Sequence, residues 1–288
     1  MTSSLLIGQD MRKLAAGLIS LFVTCGPVAF AQPTNLVTNS NFPSAGYLPF
    51  PPHFQPRPAS APDKITTAPP ALPSYAQPAI PEEGYLWMPG FWAWRKDIPD
   101  YYWVPGTWVK PPQAGLLWTP PYWSRADGGY VFHAGYWAGT VGFYGGIDYG
   151  YGYTGDGYQG GRWENGTFFY NSAANNLGSL TITHVYEKTI ASDDHSPRVS
   201  FNGGSRGTKA RPSPEQERQA GNSHVAPTSE QQQHFEMAAK DRSLYSKLNR
   251  NRPGVAATSR AGDFSSPAVT RSSELLDDER GASGSATK

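Results

Sequence analysis

Ten aromatic side chains define the chemistry open to this chain: Trp87, Trp92, Trp103, Trp108, Trp118, Trp123 and Trp137, spaced in pairs, and Tyr149, Tyr151 and Tyr153, alternating with glycine. A Trp or Tyr face can stack on a sugar ring, cap a choline-like cation or rest at a membrane interface. These ten are therefore the candidate binding residues. The competing use is structural, since each large ring buries roughly 150–250 Å2 and the surrounding sequence is poor in Leu, Ile and Val. The Tyr are the better ligand candidates and the Trp the better core.

Other chemistries lack their parts. Nucleophilic catalysis needs a Ser or Cys elbow with a His and an acid, and the chain has no G-x-S-x-G. The six His, at 53, 133, 184, 195, 224 and 234, show no paired ligand spacing, and Asp193-Asp-His195 reads as a solvated loop rather than a metal cluster. His133 reads as a turn residue. Asp97 with Asp100, and Glu82 with Glu83, would serve glycoside chemistry only across a cleft, whereas their positions suit connecting loops. No glycine-rich stretch is followed by the Gly-Lys-Ser of a phosphate loop. The expectation is no catalytic residue, no cofactor and no metal.

The elements that must position the aromatics follow from repetition. Trp87-Met-Pro-Gly-Phe-Trp92, Trp103-Val-Pro-Gly-Thr-Trp108, Trp118-Thr-Pro-Pro-Tyr-Trp123 and Phe132-His-Ala-Gly-Tyr-Trp137 succeed one another at a short period, the mark of an array of small units. Between 84 and 170 stand nine Trp, twelve Tyr and five Phe among many Gly and Pro, a composition of short strands and tight turns. With each Pro-Gly as the turn, Trp87 would face Trp92, Trp103 face Trp108, Trp118 face Trp123, and Phe132 face Trp137. Pro-Gly favours a type II turn, whose twist splays a two-residue hairpin, so wider loops remain open. The Gly/Tyr tract from Gly139 to Gly161 is either a loop packed on the repeats or flexible low-complexity sequence.

Beyond the repeats, Leu180–Ile190 and Arg198–Gly204 read as strands. Ser213-Pro-Glu opens a short helix, and Thr228-Ser-Glu-Gln231 is a capping box opening a longer one to about Asn249. Phe235, Ala238, Arg242 and Tyr245 share a face of that helix, too weakly apolar to be buried.

Toward the N-terminus, Arg12 and Lys13, the apolar stretch Leu14 to Val23, and Ala29-Phe30-Ala31 compose an export signal cleaved before Gln32. The apolar run is shorter than the roughly 20 residues of a spanning helix. Cys25, the only cysteine, lies within it; acylation at Cys25 is the alternative processing. Residues 32–82 hold thirteen prolines, which remove backbone donors and favour an extended tether. The formal charge is +1, and loss of the leader with Asp10, Arg12 and Lys13 leaves it neutral, with no basic patch for nucleic acid.

The expected organisation is a signal peptide over 1–31, a disordered Pro-rich linker over 32–83, the aromatic repeat module over 84–170, a strand-containing extension over 171–204, a helical segment over 205–249 and a disordered tail over 250–288. The expected fold class is mainly β, short aromatic-rich hairpin repeats with a C-terminal helix in a loosely folded tail.

Tyr85-Leu-Trp-Met-Pro-Gly-Phe-Trp92 and Tyr101-Tyr-Trp-Val-Pro-Gly-Thr-Trp108 resemble the WxxGxW (YxWGxW) repeat family of exported bacterial proteins. Pro121 stands where that pattern has Gly, and Phe132 where it has Trp. The resemblance implies export and repeat architecture, and no biochemical activity. The expected protein is non-catalytic, exported to the periplasm or outer membrane or beyond, with a structural or interaction role toward an envelope protein or polysaccharide. The alternative is a carbohydrate- or cell-wall-binding module using the Trp/Tyr face. The sequence leaves oligomeric state open.

Overall fold

The computed structural model describes residues 64–190 and 198–273. The segment expected to be a signal peptide, Asp193-Asp-His195 and the chain before 64 and after 273 lie outside the described residues. What is described is mainly β, built on two long bent hairpins. In the first, β1 (Leu86–Met88) pairs antiparallel with β4 (Gly106–Val109), and β2 (Phe91–Arg95) with β3 (Asp100–Val104). The register is continuous: Trp87 opposes Trp108 and Trp92 opposes Trp103. Pro89-Gly90 is therefore no hairpin turn, and the pairing of Trp87 with Trp92 expected from the sequence is corrected. Pro89-Gly90 and Pro105-Gly106 lie across from each other and break both strands at one level. Proline removes a ladder donor there, and the ribbon bends instead of reversing.

The second hairpin repeats the design with β5 (Leu117–Thr119) against β8 (Tyr136–Ala138) and β6 (Tyr122–Ala126) against β7 (Gly129–His133). Trp118 opposes Trp137 and Trp123 opposes Phe132. Here the reversal is Asp127-Gly128, with φ of 43° and 82°, the left-handed pair that a two-residue type I′ turn requires. All four cross-strand pairs take similar tilted or edge-on geometries: Trp87 with Trp108 at 5.3 Å, Trp92 with Trp103 at 5.2 Å, Trp118 with Trp137 at 5.3 Å, and Trp123 with Phe132 at 5.0 Å.

The glycine of the motif is a packing requirement. A Cβ on Gly106 would lie 2.7 Å from Cζ2 of Trp87, and one on Gly135 would lie 2.5 Å from Cζ2 of Trp118. One on Gly90 would enter the Trp103 indole. Each indole thus lies across the glycine of the opposite strand. In the second hairpin, Phe132 holds the place of Trp103 and Pro121 the place of Gly90. The smaller ring and the larger residue thus occur together, at the two positions that face each other as Trp103 and Gly90 in the first hairpin.

Two smaller sheets and one added strand complete the β layer. β9 (Asp148–Gly150) pairs with β10 (Tyr153–Thr154); β11 (Gly161–Glu164) and β12 (Thr167–Asn171) form a hairpin extended by β13 (Val185–Tyr186); β14 (Phe201–Asn202) adds to β6. Of the strand expected over 180–190, only Val185–Tyr186 forms. The Gly/Tyr tract packs on the repeats, burying Tyr144, Ile147, Tyr149 and Tyr153.

The flanking segments are part of this core, which corrects two expectations. Residues 64–83 are not a free tether: Leu72, Tyr75 and Ile80 are buried, and the indole N–H groups of Trp92 and Trp108 donate to the carbonyls of Ala71 and Pro78. Residues 250–273 are not a free tail: β15 (Ala257–Thr258) adds parallel to β4, and Trp103 donates to the carbonyl of Ala256. Proline-rich chain has carbonyls without matching N–H groups, and the buried indoles supply the donors.

Both predicted caps form. Ser213 caps α1 (Pro214–Ala220) and Thr228 caps α2 (Ser229–Lys240), each with a full capping box. The helix expected to reach Asn249 stops at Asp241, which is extended; a 3-10 turn over Arg242–Leu244 and α3 (Ser246–Asn249) follow. Far from being too weakly apolar to bury, α2 inserts Gln231, His234, Phe235, Ala238 and Ala239. Its polar insertions are satisfied. Gln231 accepts from the Trp137 indole, and His234 donates from Nε2 to the Pro105 carbonyl while Nδ1 accepts from the Gly262 N–H. Those bonds hold a neutral tautomer, and burial pushes its pKa down to about 4.

Two outcomes follow. Gly90→Ala destabilises the fold by about 1–3 kcal/mol, and in a Trp103→Phe background the added cost shrinks by about 1 kcal/mol, because the smaller ring makes room. Additive urea-melt free energies across this cycle would sink the contact. For His234, the folded pKa lies below the ordinary value near 6.5, so its contribution is intact above pH 6.5 and is lost as pH falls toward 4. That loss is about 3 kcal/mol, and His234→Gln flattens it in denaturant melts taken between pH 7 and 4.

Candidate functional site

The residues singled out as a ligand platform lie inside. Trp87, Trp108, Trp118 and Trp137 are 0% exposed, and Trp92, Trp103, Trp123, Tyr149 and Tyr153 at most 3%. Tyr149 and Tyr153 spend their hydroxyls on the carbonyls of Pro121 and Trp118. Tyr151 is half-buried, its ring edge-on to Trp87 and its hydroxyl donating to the Tyr75 carbonyl. The platform is corrected to a core, for the reason that stands against it in composition: few aliphatic residues compete for the interior.

The carboxylate pairs do not face a cleft. Asp97 binds Arg95, whose guanidinium holds it below the usual carboxylate range, while buried Asp100 accepts from Ser246 and the Lys247 N–H. Glu82 meets Lys110, and Glu83 meets His184.

What the structure brings together instead is the outer side of the second bend. Because Trp118 and Trp137 turn inward, their neighbours Thr119 and Tyr136, also paired, turn outward; beyond the bend, paired Tyr122 and His133 join them. The segment around α1 closes over this side. The result is a recess of about 290 Å3, floored by these residues and walled by Phe143, Gln216, Glu217 and His224.

Two imidazole and phenol stacks frame it. His133 lies parallel to Tyr122, ring centres 4.3 Å apart and planes at 5°, and His224 parallel to Tyr136 at 3.7 Å and 13°. Phe143 stands edge-on to Tyr122 at 5.5 Å. Nε2 of His133 is 2.7 Å from the Ser124 hydroxyl, and Nε2 of His224 donates to the Gln219 carbonyl at 2.9 Å. Burial lowers the His133 pKa and pushes the Tyr122 phenol up to about 12, with Tyr136 nearby adding to the latter. His133 is thus no turn residue but a largely covered side chain at the end of β7.

Ser124 and His133 approach as a nucleophile and base would. The triad logic also needs a carboxylate to orient the imidazole, and among the described residues Nδ1 of His133 has none. The described residues contain no group of three or more His, Cys, Asp or Glu able to hold a metal. No helix among them is long and apolar enough to cross a membrane.

The WXXGXW repeat family is found in the chain in 2 copies, over residues 84–109 and 115–138, which coincide with the two bent hairpins. No curated protein and no solved structure matches the chain.

Since the recess covers His133, its ring resonances titrate below the ordinary midpoint near 6.5 in an NMR pH series. A midpoint at or above 6.5 would mean a solvated ring and an open bend.

Proposed function

We propose that this chain is a non-catalytic protein exported to the bacterial envelope, in the periplasm or at the outer membrane, where it acts as a rigid holder for an envelope component. The observation that carries this reading is the contrast between interior and recess. The aromatic capital of the sequence is committed to a core that also ties in residues 64–83 and 250–273. The recess offers parallel rings and hydrogen-bonding edges with no complete acid, base and nucleophile set. Such a site is suited to holding a ligand. The export signal and the neutral mature charge support an envelope location over a nucleic-acid partner.

Fractionation of cells expressing the full chain tests the proposal: the processed protein is expected in the periplasmic or outer-membrane fraction and to co-sediment with isolated envelope at high salt, because apolar contact persists where charge pairs are screened. Full-length protein retained in the cytosol would defeat it.

A further inference from the structure

The two hairpins are copies, and they differ on one side. In the first, the outward positions at the bend are Met88, Phe91, Val104 and Thr107, each at most 2% exposed. They are covered by α2 and β15: Phe235 stands edge-on to Phe91 at 5.5 Å, Gln231 reaches the Met88 sulfur, and Thr107 meets the Thr258 hydroxyl at 3.0 Å. In the second, the same positions hold Thr119, Tyr122, His133 and Tyr136, and α1 buries no residue of its own. The first copy shows that the bend closes well with three apolar side chains and one hydrogen-bonded Thr beneath a helix and a strand. The scaffold therefore has no need of two hydroxyl-bearing rings and an imidazole here, and they leave a cavity where the first copy has a packed interface.

We propose that this recess is a binding site for one uncharged sugar ring, the unit of an envelope glycan. Its volume, about 290 Å3, is at the scale of the smallest ligand pockets. Its lining contains neither Lys nor Arg, so nothing compensates an anionic ligand, and its one carboxylate, Glu217, is exposed at the rim. An aromatic cage for a quaternary cation needs open ring faces, yet Tyr122 and Tyr136 each have one face covered by an imidazole.

What remains free are edges. The Tyr122 hydroxyl has no hydrogen-bond partner among the described residues. Nδ1 of His133 and Nδ1 of His224 have none either, because both rings use Nε2. In the tautomer with Nε2 of His224 donating, Nδ1 is an acceptor, and so calls for a ligand hydroxyl that donates. Apolar walls from Phe143 with several neutral donors and acceptors at the margin match a pyranose, which pairs C–H faces with hydroxyls.

This site rests on the envelope reading above but is tested apart from it. Glucose, galactose, N-acetylglucosamine, glucuronate and choline are titrated into the full chain while the His133 and His224 ring resonances are followed by NMR. The expected result is saturable shifts of both rings with at least one neutral sugar, at a Kd of the order of 1 mM, with glucuronate and choline weaker. Tyr122→Phe, which keeps the ring stack, weakens that binding about fivefold at unchanged melting temperature. His224→Ala weakens it as well. The site is overturned if no neutral sugar shifts either ring, if glucuronate or choline binds as well as the sugars, or if Tyr122→Phe binds like the wild type. Absence of sugar binding from a protein that still sediments with envelope would remove this site and leave the envelope reading standing.

Discussion

An indole lying across a glycine on the facing strand is the contact on which the rest of this structure depends. Trp87 over Gly106, Trp103 over Gly90 and Trp118 over Gly135 fix how closely the strands approach at the bends, and no other residue leaves the space. Proline next to glycine removes ladder donors at the same level, so the ribbons fold over their own aromatic pairs. The inner surface thereby becomes continuous from one hairpin to the other, and the Trp123 indole donates across the join to the Trp92 carbonyl at 2.7 Å. The contact has a cost. Trp87 and Trp118, equivalent in the two copies, leave their buried indole N–H without a partner among the described residues, about 1–3 kcal/mol each that packing must offset.

The other indoles account for why the flanking segments are ordered. A buried N–H needs an acceptor, and the hairpins, whose carbonyls are largely committed to their own ladders, do not provide enough. Ala71, Pro78 and Ala256 supply backbone carbonyls and Gln231 a side-chain oxygen, from segments far away in sequence. Chain that composition marks as tether and tail is thereby recruited, since a proline-rich strand is rich in unpaired acceptors. That requirement was legible in principle from the count of Trp. Which carbonyl each would take was not, because it depends on tertiary placement.

The sequence yielded the β class, the repeat and both helix caps, since each depends on local pattern: aromatic density, spacing, and a Ser or Thr three residues before Gln. The strand pairing was misread because Pro-Gly attracts a turn assignment. Better signals stood nearby. Asp127-Gly128 and Asn165-Gly166 both take two positive φ values, and each joins strands in a two-residue reversal. Counting pairs outward from Asp127-Gly128 puts Trp123 opposite Phe132 and Trp118 opposite Trp137. The burial of α2 was missed for another reason. Its core positions include Gln231 and His234, polar by scale yet buried with their hydrogen bonds made, and an amphipathicity argument sees only the polarity.

The recess residues were invisible as a set for a reason that duplication makes plain. Within one motif, Tyr122 and Tyr136 look like ordinary strand aromatics, and His133 like a substitution in a loose copy. The motif aligns Thr119, Tyr122, His133 and Tyr136 with Met88, Phe91, Val104 and Thr107, but only the bent pairing of the strands sets the four side by side at one bend. A duplicated unit lets one copy keep the packing that folds the chain while the other is released from it. The first copy, covered by α2, has no surface left to give at its bend. The second keeps the inward pairs Trp118 with Trp137 and Trp123 with Phe132, and carries on its outward side groups that hydrogen-bond. The site proposed at the second bend lies where the repeat is least faithful to itself and the core beneath is least disturbed.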